Sequence, residues 1–455
     1  MRIESGSFRD NSGFVFYDKG EIFRAVSLNY KENYDLLNSS KLYDKLVNDN
    51  YIIPHSEIEK NDLPAGVYKI IKPERIDFIS YPYEWCFSQL KDAALTTLKI
   101  HKIALDHNMV LKDGSVYNIQ FHKGKPLFID TLSFEVYKEN EPWIAYNQFC
   151  RNFLAPLALA SLCDERLLQL FKDFIDGIPL ETAANILREK SFLNLGLITH
   201  LHLHSYFQNK YSSSNKKVEV NKKWVNKNSQ LRLIENLERT IEGLKLKRKK
   251  TNWSSYYSEH HSEKYYNDKR KIVEQYLNEA RSLRVWDLGA NEGEFSKLAA
   301  KLSNVTAFDS DHRCIENFYA NIKSSNEKNI LPLVMDFTNP SPSIGWANSE
   351  RKSLTERANA DLVLALALIH HLAISNNVPL NFLAEYFNKL SHWLIIEFVP
   401  KNDPLVLKLL LNRKDIFDKY DIDNFEREFE KHFIKITSQK ISGSERVLYL
   451  YKRKN

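Results

Sequence analysis

The chain has 455 residues, of which 43% are hydrophobic and 27% charged, and its formal net charge of +6 is modest for this length. That length suffices for two or three domains with a large buried core. Its four cysteines are scattered and include no Cys-x-x-Cys pair, which excludes a disulfide framework or a cysteine zinc site, so we predict no bound metal. The polar start and the lack of an apolar run long enough to span a bilayer predict a cytoplasmic protein without a membrane span.

Residues 1–210 are predicted to form an α+β domain. A long helix precedes a loop that contains Asp113 and Asn118, and an apolar hairpin then ends in Asp130. This arrangement resembles the catalytic loop and the metal-binding aspartate of kinase-like folds. In such sites the first Asp positions a hydroxyl nucleophile, while the Asn and the second Asp hold magnesium against the phosphates.

Several features of a working kinase are missing from this half. There is no glycine-rich loop, no Val-Ala-x-Lys strand stands out, and Asp130 is followed by Thr-Leu rather than Phe-Gly. We therefore favour a degenerate kinase-like domain that serves substrate recognition. A purely structural interpretation has at least equal weight, in which Asp113 and Asn118 cap turns and Asp130 ends a strand.

Residues 211–250 carry a concentration of lysine and arginine and are predicted to be a basic linker. Such a run could bind nucleic acid or anionic lipid, but we favour a solvated linker. Within it, apolar residues recur at three- and four-residue spacing over 230–245, which predicts an amphipathic helix. Its narrow apolar stripe would be buried by a neighbouring domain or by a second copy of the chain, so a homo-oligomer through this helix is one expected outcome.

Residues 251–455 alternate strands and helices, which predicts a Rossmann-like, doubly wound sheet with its ligand at the carboxyl ends of the strands. The first strand runs into an Asp-x-Gly-x-Asn-x-Gly turn, formed by Asp287, Gly289, Asn291 and Gly293. A dinucleotide fold would have Gly-x-Gly-x-x-Gly to seat a pyrophosphate, whereas an acid two residues before the first glycine suits the cationic methionine end of S-adenosylmethionine. Asn291 replaces the usual middle glycine, but asparagine tolerates left-handed backbone.

Two more strands are predicted to end in acids. Asp309 follows the second strand and is placed to accept hydrogen bonds from the ribose hydroxyls, and Asp336 follows the third and is placed to accept from the adenine amino group. Strands at 361–368 and 393–399 come next, and a final antiparallel hairpin is predicted near the C-terminus. Acids at the ends of three successive strands, together with the glycine turn, predict a methyltransferase with S-adenosyl-L-methionine as its cofactor.

The fourth strand leads into a pair of histidines, His370 and His371. An N-methyltransferase acting on nucleobases or glutamine would typically have Asn/Asp-Pro-Pro-Tyr at this place, whereas a histidine can accept a hydroxyl proton near neutral pH. We therefore expect O-methylation, with His370 or His371 as the base and Glu397 orienting the acceptor or the histidine. The alternative is that one of the histidines only caps the turn. Tyr265 and Tyr266, like Tyr256 and Tyr257, precede this domain and either close over the ligand or pack on the sheet.

Several longer stretches carry a resemblance to a known family. They include Phe78-Ile79-Ser80-Tyr81-Pro82-Tyr83-Glu84-Trp85, Phe128-Ile129-Asp130-Thr131-Leu132 and Ala365-Leu366-Ala367-Leu368-Ile369-His370-His371-Leu372. Together they resemble the nodulation-protein-like family of bacterial class I methyltransferases, and the likeness covers most of the chain. The resemblance implies an α/β fold: a class I methyltransferase domain, with a seven-stranded sheet and C-terminal antiparallel hairpin, preceded by the accessory domain. It also implies S-adenosylmethionine as cofactor and adds little about the acceptor.

Three functions are compatible with these observations. We favour an O-methyltransferase for a small-molecule or glycan acceptor in bacterial specialised metabolism, with residues 1–210 shaping the acceptor pocket. The second is an RNA methyltransferase that uses the basic linker, which would bind RNA tightly and with a steep salt dependence. The third, a kinase-like phosphotransferase or a scaffold, ranks last because the cofactor motif is intact.

Overall fold

The computed structural model describes residues 2–59, 64–206, 226–247, 263–411 and 413–454. These residues form two compact units. The first comprises the residues up to Arg248 together with Ser343–Arg351, and the second comprises Lys249–Pro342 and Lys352–Asn455. The predicted linker at 211–250 lies partly outside the described residues, and its described part belongs to the first unit.

The first unit contains an antiparallel sheet in the order β1-β2-β3-β5-β4. Its strands are β1 (Arg2–Ile3), β2 (Gly13–Asp18), β3 (Glu21–Ser27), β4 (His55–Ile58) and β5 (Val67–Pro73). A two-residue turn joins β2 to β3, and both Lys19 and Gly20 there have positive φ, which matches the twist of the two strands. Two helices, α1 (Lys31–Ser39) and α2 (Leu42–Asn48), lie between β3 and β4 in the chain.

The rest of the first unit is mainly helical. Its elements are α3 (Phe87–Asp106), β6 (Met109–Leu111), β7 (Ile119–His122), β8 (Lys125–Phe128), β9 (Phe134–Val136), α4 (Tyr146–Phe149), α5 (Ala155–Leu162), α6 (Leu180–Leu187), α7 (Leu195–Leu197) and α8 (Lys227–Gly243). Strand β6 pairs with β9, and β7 with β8 forms the predicted apolar hairpin. No helix among the described residues is long and apolar enough to cross a membrane.

Helix α8 is the amphipathic helix predicted in the linker. Its apolar residues Ile234, Leu237 and Ile241 are completely buried, and the helix packs beside α3. The ammonium of Lys91 on α3 donates to the carbonyl of Leu244, just beyond α8. The stripe is therefore covered within one chain, and a homo-oligomer through this helix stays a prediction.

The second unit is built on a seven-stranded sheet. The strands are β10 (Arg284–Leu288), β11 (Asn304–Asp309), β12 (Ile330–Val334), β13 (Leu362–Ala365), β14 (Trp393–Phe398), β15 (Phe433–Lys440) and β16 (Val447–Arg453). Their order is β12-β11-β10-β13-β14-β16-β15; the first five are parallel, and β16 pairs antiparallel with both β14 and β15. The carboxyl ends of the parallel strands therefore meet at one edge, where the sequence places the ligand.

Helices connect these strands and cover the sheet, whose central strands β10 and β13 are almost entirely buried. They are α9 (Glu263–Ala280), α10 (Glu294–Ala299), α11 (His312–Ser325), α12 (Leu380–Leu390), α13 (Pro404–Leu410) and α14 (Ile422–Phe429). Strand β13 is shorter than predicted and ends at Ala365. Beyond it Ala367 has a φ of 49°, so the chain leaves the sheet before the two histidines.

Candidate functional site

A cleft lies at the carboxyl ends of the parallel strands of the second unit. It has about 1220 Å³ of empty volume, part of which is open solvent. The predicted cofactor residues that line it are Asp287, Gly289, Asn291, Asp309 and Asp336. Helix α9 and the segments after β12, β13 and β15 supply the other walls, with Tyr265, Tyr266, Lys269, Met335, Phe337, Leu368, His371, Ser375 and Arg446.

The glycine turn between β10 and α10 has the left-handed backbone that the sequence predicts. The φ values are 78° at Gly289, 51° at Asn291 and 84° at Gly293. A Cβ atom at Gly293 would lie only 1.9 Å from the ring of Phe318, so only glycine fits there. The backbone N–H groups of Gly289 and Ala290 donate to the carbonyl of Phe308, which fixes the turn against β11.

Asp309 is held at the end of β11 by the backbone of its neighbours. Its two carboxylate oxygens accept hydrogen bonds from the N–H groups of Asn291 (2.8 Å) and Asp311 (2.9 Å). Burial raises the pKa of Asp309 to about 6, although these N–H donors act in the opposite direction. The carboxylate is thus fixed in orientation by neutral donors, and no cation is paired with it among the described residues.

Asp287 lies on the floor of the cleft and is almost fully buried. It accepts a hydrogen bond of 2.6 Å from the hydroxyl of Ser296 on α10. Burial raises the pKa of Asp287 to about 6, and the nearby charge of Asp309 acts in the same direction. Lys269 opposes this shift, which indicates that the ammonium lies near enough to influence Asp287.

Asp336 is exposed at the end of β12. One of its oxygens accepts hydrogen bonds from the backbone N–H (2.8 Å) and the hydroxyl (2.6 Å) of Thr338, so it also shapes its own turn. Phe337 and Met335 beside it provide apolar cleft surface. The edge of the cleft therefore combines an acid with flat apolar contacts, as a purine would require.

The two histidines are not equivalent. His371 lines the cleft, and burial followed by the charge of Arg446 lowers its pKa to about 4. His370 is completely buried and does not line the cleft; in the described part of the chain neither of its ring nitrogens has a hydrogen-bond partner. Burial lowers the pKa of His370 well below its usual value. His370 is therefore wrongly placed for the predicted base, and His371 is the histidine that can meet a ligand.

Glu397 belongs to a buried ion network and not to a pair with histidine. Its carboxylate accepts from the Nζ of Lys269 (2.6 Å), the hydroxyl of Tyr265 (2.9 Å) and the guanidinium of Arg446 (3.3 Å). Its pKa falls to about 2 because these cations outweigh the effect of burial. No histidine is among the partners of Glu397 in the described residues, so these contacts do not support a role in orienting a histidine. That Glu397 orients the acceptor stays a prediction.

The network continues from Arg446 to Asp403, with two hydrogen bonds of 2.7 and 3.1 Å. We call Tyr265, Lys269, Glu397, Asp403 and Arg446 the ion network. Its two cations line the cleft, and sequence analysis missed both of them. One signal existed: Lys269 occupies a buried position of α9, among Tyr265, Ile272 and Tyr276, where an amphipathic helix normally has an apolar residue.

The residues of the predicted second site, Asp113, Asn118 and Asp130, also lie close together in the first unit. Asn118 donates to the Oγ of Ser133 (3.3 Å), and Asp113 accepts from the side-chain amide of Gln148 (2.7 Å). Asp130 accepts from the backbone N–H of Leu132 (2.8 Å) and pairs with the guanidinium of Arg24 at 2.6 Å. Burial and then the charge of Asp130 raise the pKa of Asp113, so the two acids are close. The described residues contain no group of three or more His, Cys, Asp or Glu side chains that could hold a metal ion.

No family model matches the chain. Nodulation protein NoeA from Rhizobium meliloti (strain 1021) is 31% identical to it over 460 residues, which span 99% of this chain and 96% of NoeA. The chain belongs to the NoeA family. NoeA aligns over both units, and the resemblance to a nodulation-protein-like family is therefore confirmed.

Three solved structures each match less than half of the chain. N-methyltransferase NodS from Bradyrhizobium japonicum WM9 is 10% identical, with coverage of 43% of this chain and 99% of NodS and a TM-score of 0.32. The PH0226 protein from Pyrococcus horikoshii OT3 is 18% identical, with coverage of 44% and 96% and a TM-score of 0.33. The bifunctional kinase-methyltransferase WbdD is 19% identical, with coverage of 41% and 39% and a TM-score of 0.29.

Proposed function

We propose that this chain is an S-adenosylmethionine-dependent methyltransferase whose cofactor lies in the cleft of the second unit. The observation that carries the proposal is the joint geometry of the glycine turn and Asp309. The N–H of Asn291 in the turn holds the carboxylate at 2.8 Å, at the tip of the strand next to β10. A fixed carboxylate in this place suits the two adjacent hydroxyls of a ribose, and Asp336 with Phe337 suits the adenine beyond it.

The methionine end of the cofactor carries a sulfonium, an ammonium and a carboxylate, so its site needs charges of both signs. Asp287 supplies the negative charge on the floor of the cleft. Lys269 supplies a positive charge nearby, with its Nζ 4.9 Å from the centre of the Phe295 ring and 2.6 Å from Glu397. We assign Asp287 to the cationic groups and Lys269 to the carboxylate of the cofactor.

Methyl transfer to a hydroxyl forms an O–C bond as the S–C bond breaks, and the hydroxyl proton must leave. His371 is uncharged at neutral pH because its pKa is about 4, so it can accept a hydrogen bond from the acceptor hydroxyl. It is a weak base, but the hydroxyl proton becomes strongly acidic as the oxygen is alkylated. This chemistry supports O-methylation with His371 as the base. We further propose that the acceptor is a small molecule or a glycan of cytoplasmic specialised metabolism.

Calorimetric titration of the full chain with S-adenosylmethionine and S-adenosylhomocysteine tests the cofactor site. We expect micromolar binding that is lost in Asp309→Ala and retained in Glu385→Gln, a control that changes an exposed acid paired with Lys389. Absence of binding to well-folded protein would refute the proposal. Once an acceptor is known, His371→Ala should lower turnover about 10²- to 10⁴-fold with cofactor affinity unchanged; equal turnover would exclude His371 as the base.

A further inference from the structure

We propose that the first unit carries a second ligand site, which binds Mg²⁺ together with the polyphosphate of a nucleoside triphosphate. Asp130 and Asn118 would hold the metal ion, Arg24 would pair with phosphate, and Asp113 would face the end of the polyphosphate. This site is separate from the methyltransferase cleft and does not depend on the function proposed for it.

Arg24 is the residue that the sequence did not reveal. It lies on β3, and its guanidinium pairs with Asp130 at 2.6 Å and with Asp10 at 2.7 Å. A cationic side chain from the third strand of such a sheet is what pairs with nucleotide phosphates in kinase-like sites, where it is usually lysine. Arginine also binds phosphate well because its planar donors match the oxygens.

Arg24 has hydrogen-bonding capacity to spare. Only 13% of its side chain is exposed, yet its Nε is buried without an acceptor in the described part of the chain. A buried donor that lacks an acceptor is costly. A phosphate oxygen would provide the acceptor that the described residues do not.

The carboxylate of Asp130 and the side-chain amide of Asn118 have oxygens that are available to a metal ion. The described contacts of Asp130 are at its Oδ1, and the side-chain amide of Asn118 only donates. Two oxygens, Oδ2 of Asp130 and Oδ1 of Asn118, therefore accept no hydrogen bond from the described residues. Carboxylate and amide oxygens are hard ligands that suit Mg²⁺, which is usually held by one or two carboxylates with phosphates completing its shell.

The backbone holds these groups in one place. The N–H of Ile129 donates to the carbonyl of Asn118 at 2.8 Å, and Asn118 reaches Ser133 in the turn that begins at Asp130. The hairpin formed by β7 and β8 thus returns the chain from Asn118 to Asp130. Asn118 follows Asp113 by five positions, the spacing at which a kinase loop separates its base from its metal-binding Asn.

Titration of the full chain with Mg·ATP and with Mg·tripolyphosphate tests the site, because the second probe reports polyphosphate binding without a nucleoside. We expect saturable binding of both. Asp130→Asn keeps an oxygen for the Leu132 N–H and removes the charge, and should weaken both affinities about 10- to 100-fold. The control Asp44→Asn, which changes an exposed acid on α2, should bind as the unchanged protein does.

Arg24→Gln separates phosphate binding from metal binding, with Mn²⁺ as a stand-in for Mg²⁺ when the metal is titrated alone. The variant should bind Mg·tripolyphosphate more weakly. Its affinity for Mn²⁺ alone should be unchanged or higher, because Asp130 loses a competing cation. The proposal is overturned if folded protein, judged by circular dichroism and a cooperative urea unfolding transition, takes up neither probe. Equal binding by Asp130→Asn, or a loss of Mn²⁺ affinity in Arg24→Gln as large as the loss for tripolyphosphate, would also overturn it.

Discussion

The two sides of the methyltransferase cleft hold their carboxylates in opposite ways. On the glycine-turn side, Asp287 and Asp309 accept from a hydroxyl and from backbone N–H groups, and burial raises the pKa of each to about 6. On the other side, Glu397 is paired with Lys269 and Arg446, which lower its pKa to about 2. Carboxylates held by neutral donors keep their charge available to a ligand, whereas carboxylates paired with cations already have their counter-charge.

The comparison predicts that the ion network stabilises the fold and that the glycine-turn acids serve binding at a cost in stability. Replacing Glu397 removes the central anion and leaves Asp403, on Arg446, as the one carboxylate that is ion-paired with either of the two buried cations among the described residues. Replacing Asp287 or Asp309 instead removes a carboxylate whose ionised form is destabilised by burial.

Glu397→Gln should destabilise the protein most, by about 3–5 kcal/mol, because breaking a buried pair leaves uncompensated charge. Urea denaturation at pH 7 measures the free energy of unfolding. The exposed pair Glu385–Lys389 is the matched control, and Glu385→Gln should change stability by less than about 1 kcal/mol. A loss below 1 kcal/mol for Glu397→Gln would contradict the structural role of the network.

Gly293→Ala should cost about 2–4 kcal/mol and abolish S-adenosylhomocysteine binding, since it adds a clash to an unfavourable φ. Gly443→Ala separates the effect of the clash from the effect of the positive φ. Gly443 also has a positive φ, of 76°, but a Cβ there would contact nothing within 4 Å. We expect this variant to lose only about 1 kcal/mol and to bind normally; if both variants behave alike, the contact with Phe318 does not matter.

Asp287→Asn should have the opposite sign and raise the free energy of unfolding at pH 7 by about 1–3 kcal/mol. The folded protein binds a proton at Asp287 more tightly than the unfolded chain does, so its ionised form is a liability in the folded state above pH 6. The same variant should weaken S-adenosylmethionine binding. Thermal or urea unfolding without ligand measures the stability, and calorimetry with S-adenosylmethionine measures the affinity. A destabilised variant would show that Asp287 is needed for the fold.

The sequence predicted the glycine-turn side well because its information is local. Asp287, Gly289, Asn291 and Gly293 lie within one turn, and Asp309 ends the adjacent strand, so a strand pattern suffices to place them together. The ion network joins α9 to Glu397 near the carboxyl end of β14 and to Arg446 before β16. Such long-range ion pairs depend on how the helix packs on the sheet, which the spacing of apolar residues does not specify. Arg24 was missed for the same reason, as its partners Asp10 and Asp130 are distant in the chain.

The histidines show another limit of sequence analysis. Adjacent residues at the end of a strand were expected to be interchangeable as bases, but the chain leaves the sheet at Leu366 and enters a π-helical turn at His371–Ser375. That local geometry directs His371 to the cleft and buries His370. Ser343–Arg351, which joins the first unit although the sequence around it belongs to the second, was not anticipated either.

The smallest effect we predict is the pH dependence of cofactor binding. Asp309 must be ionised to accept from ribose hydroxyls, and with a pKa of about 6 its ionised fraction falls about tenfold between pH 7 and pH 5. S-adenosylhomocysteine affinity should therefore fall by at least that factor, because Asp287, whose pKa is also about 6, loses its charge over the same range. Glu397 and His371, with pKa values of about 2 and 4, do not titrate there. Calorimetry at pH 5, 6, 7 and 8 gives the profile. Asp309→Asn should flatten it, with the remaining slope due to Asp287, and an unflattened profile would assign the dependence to another group.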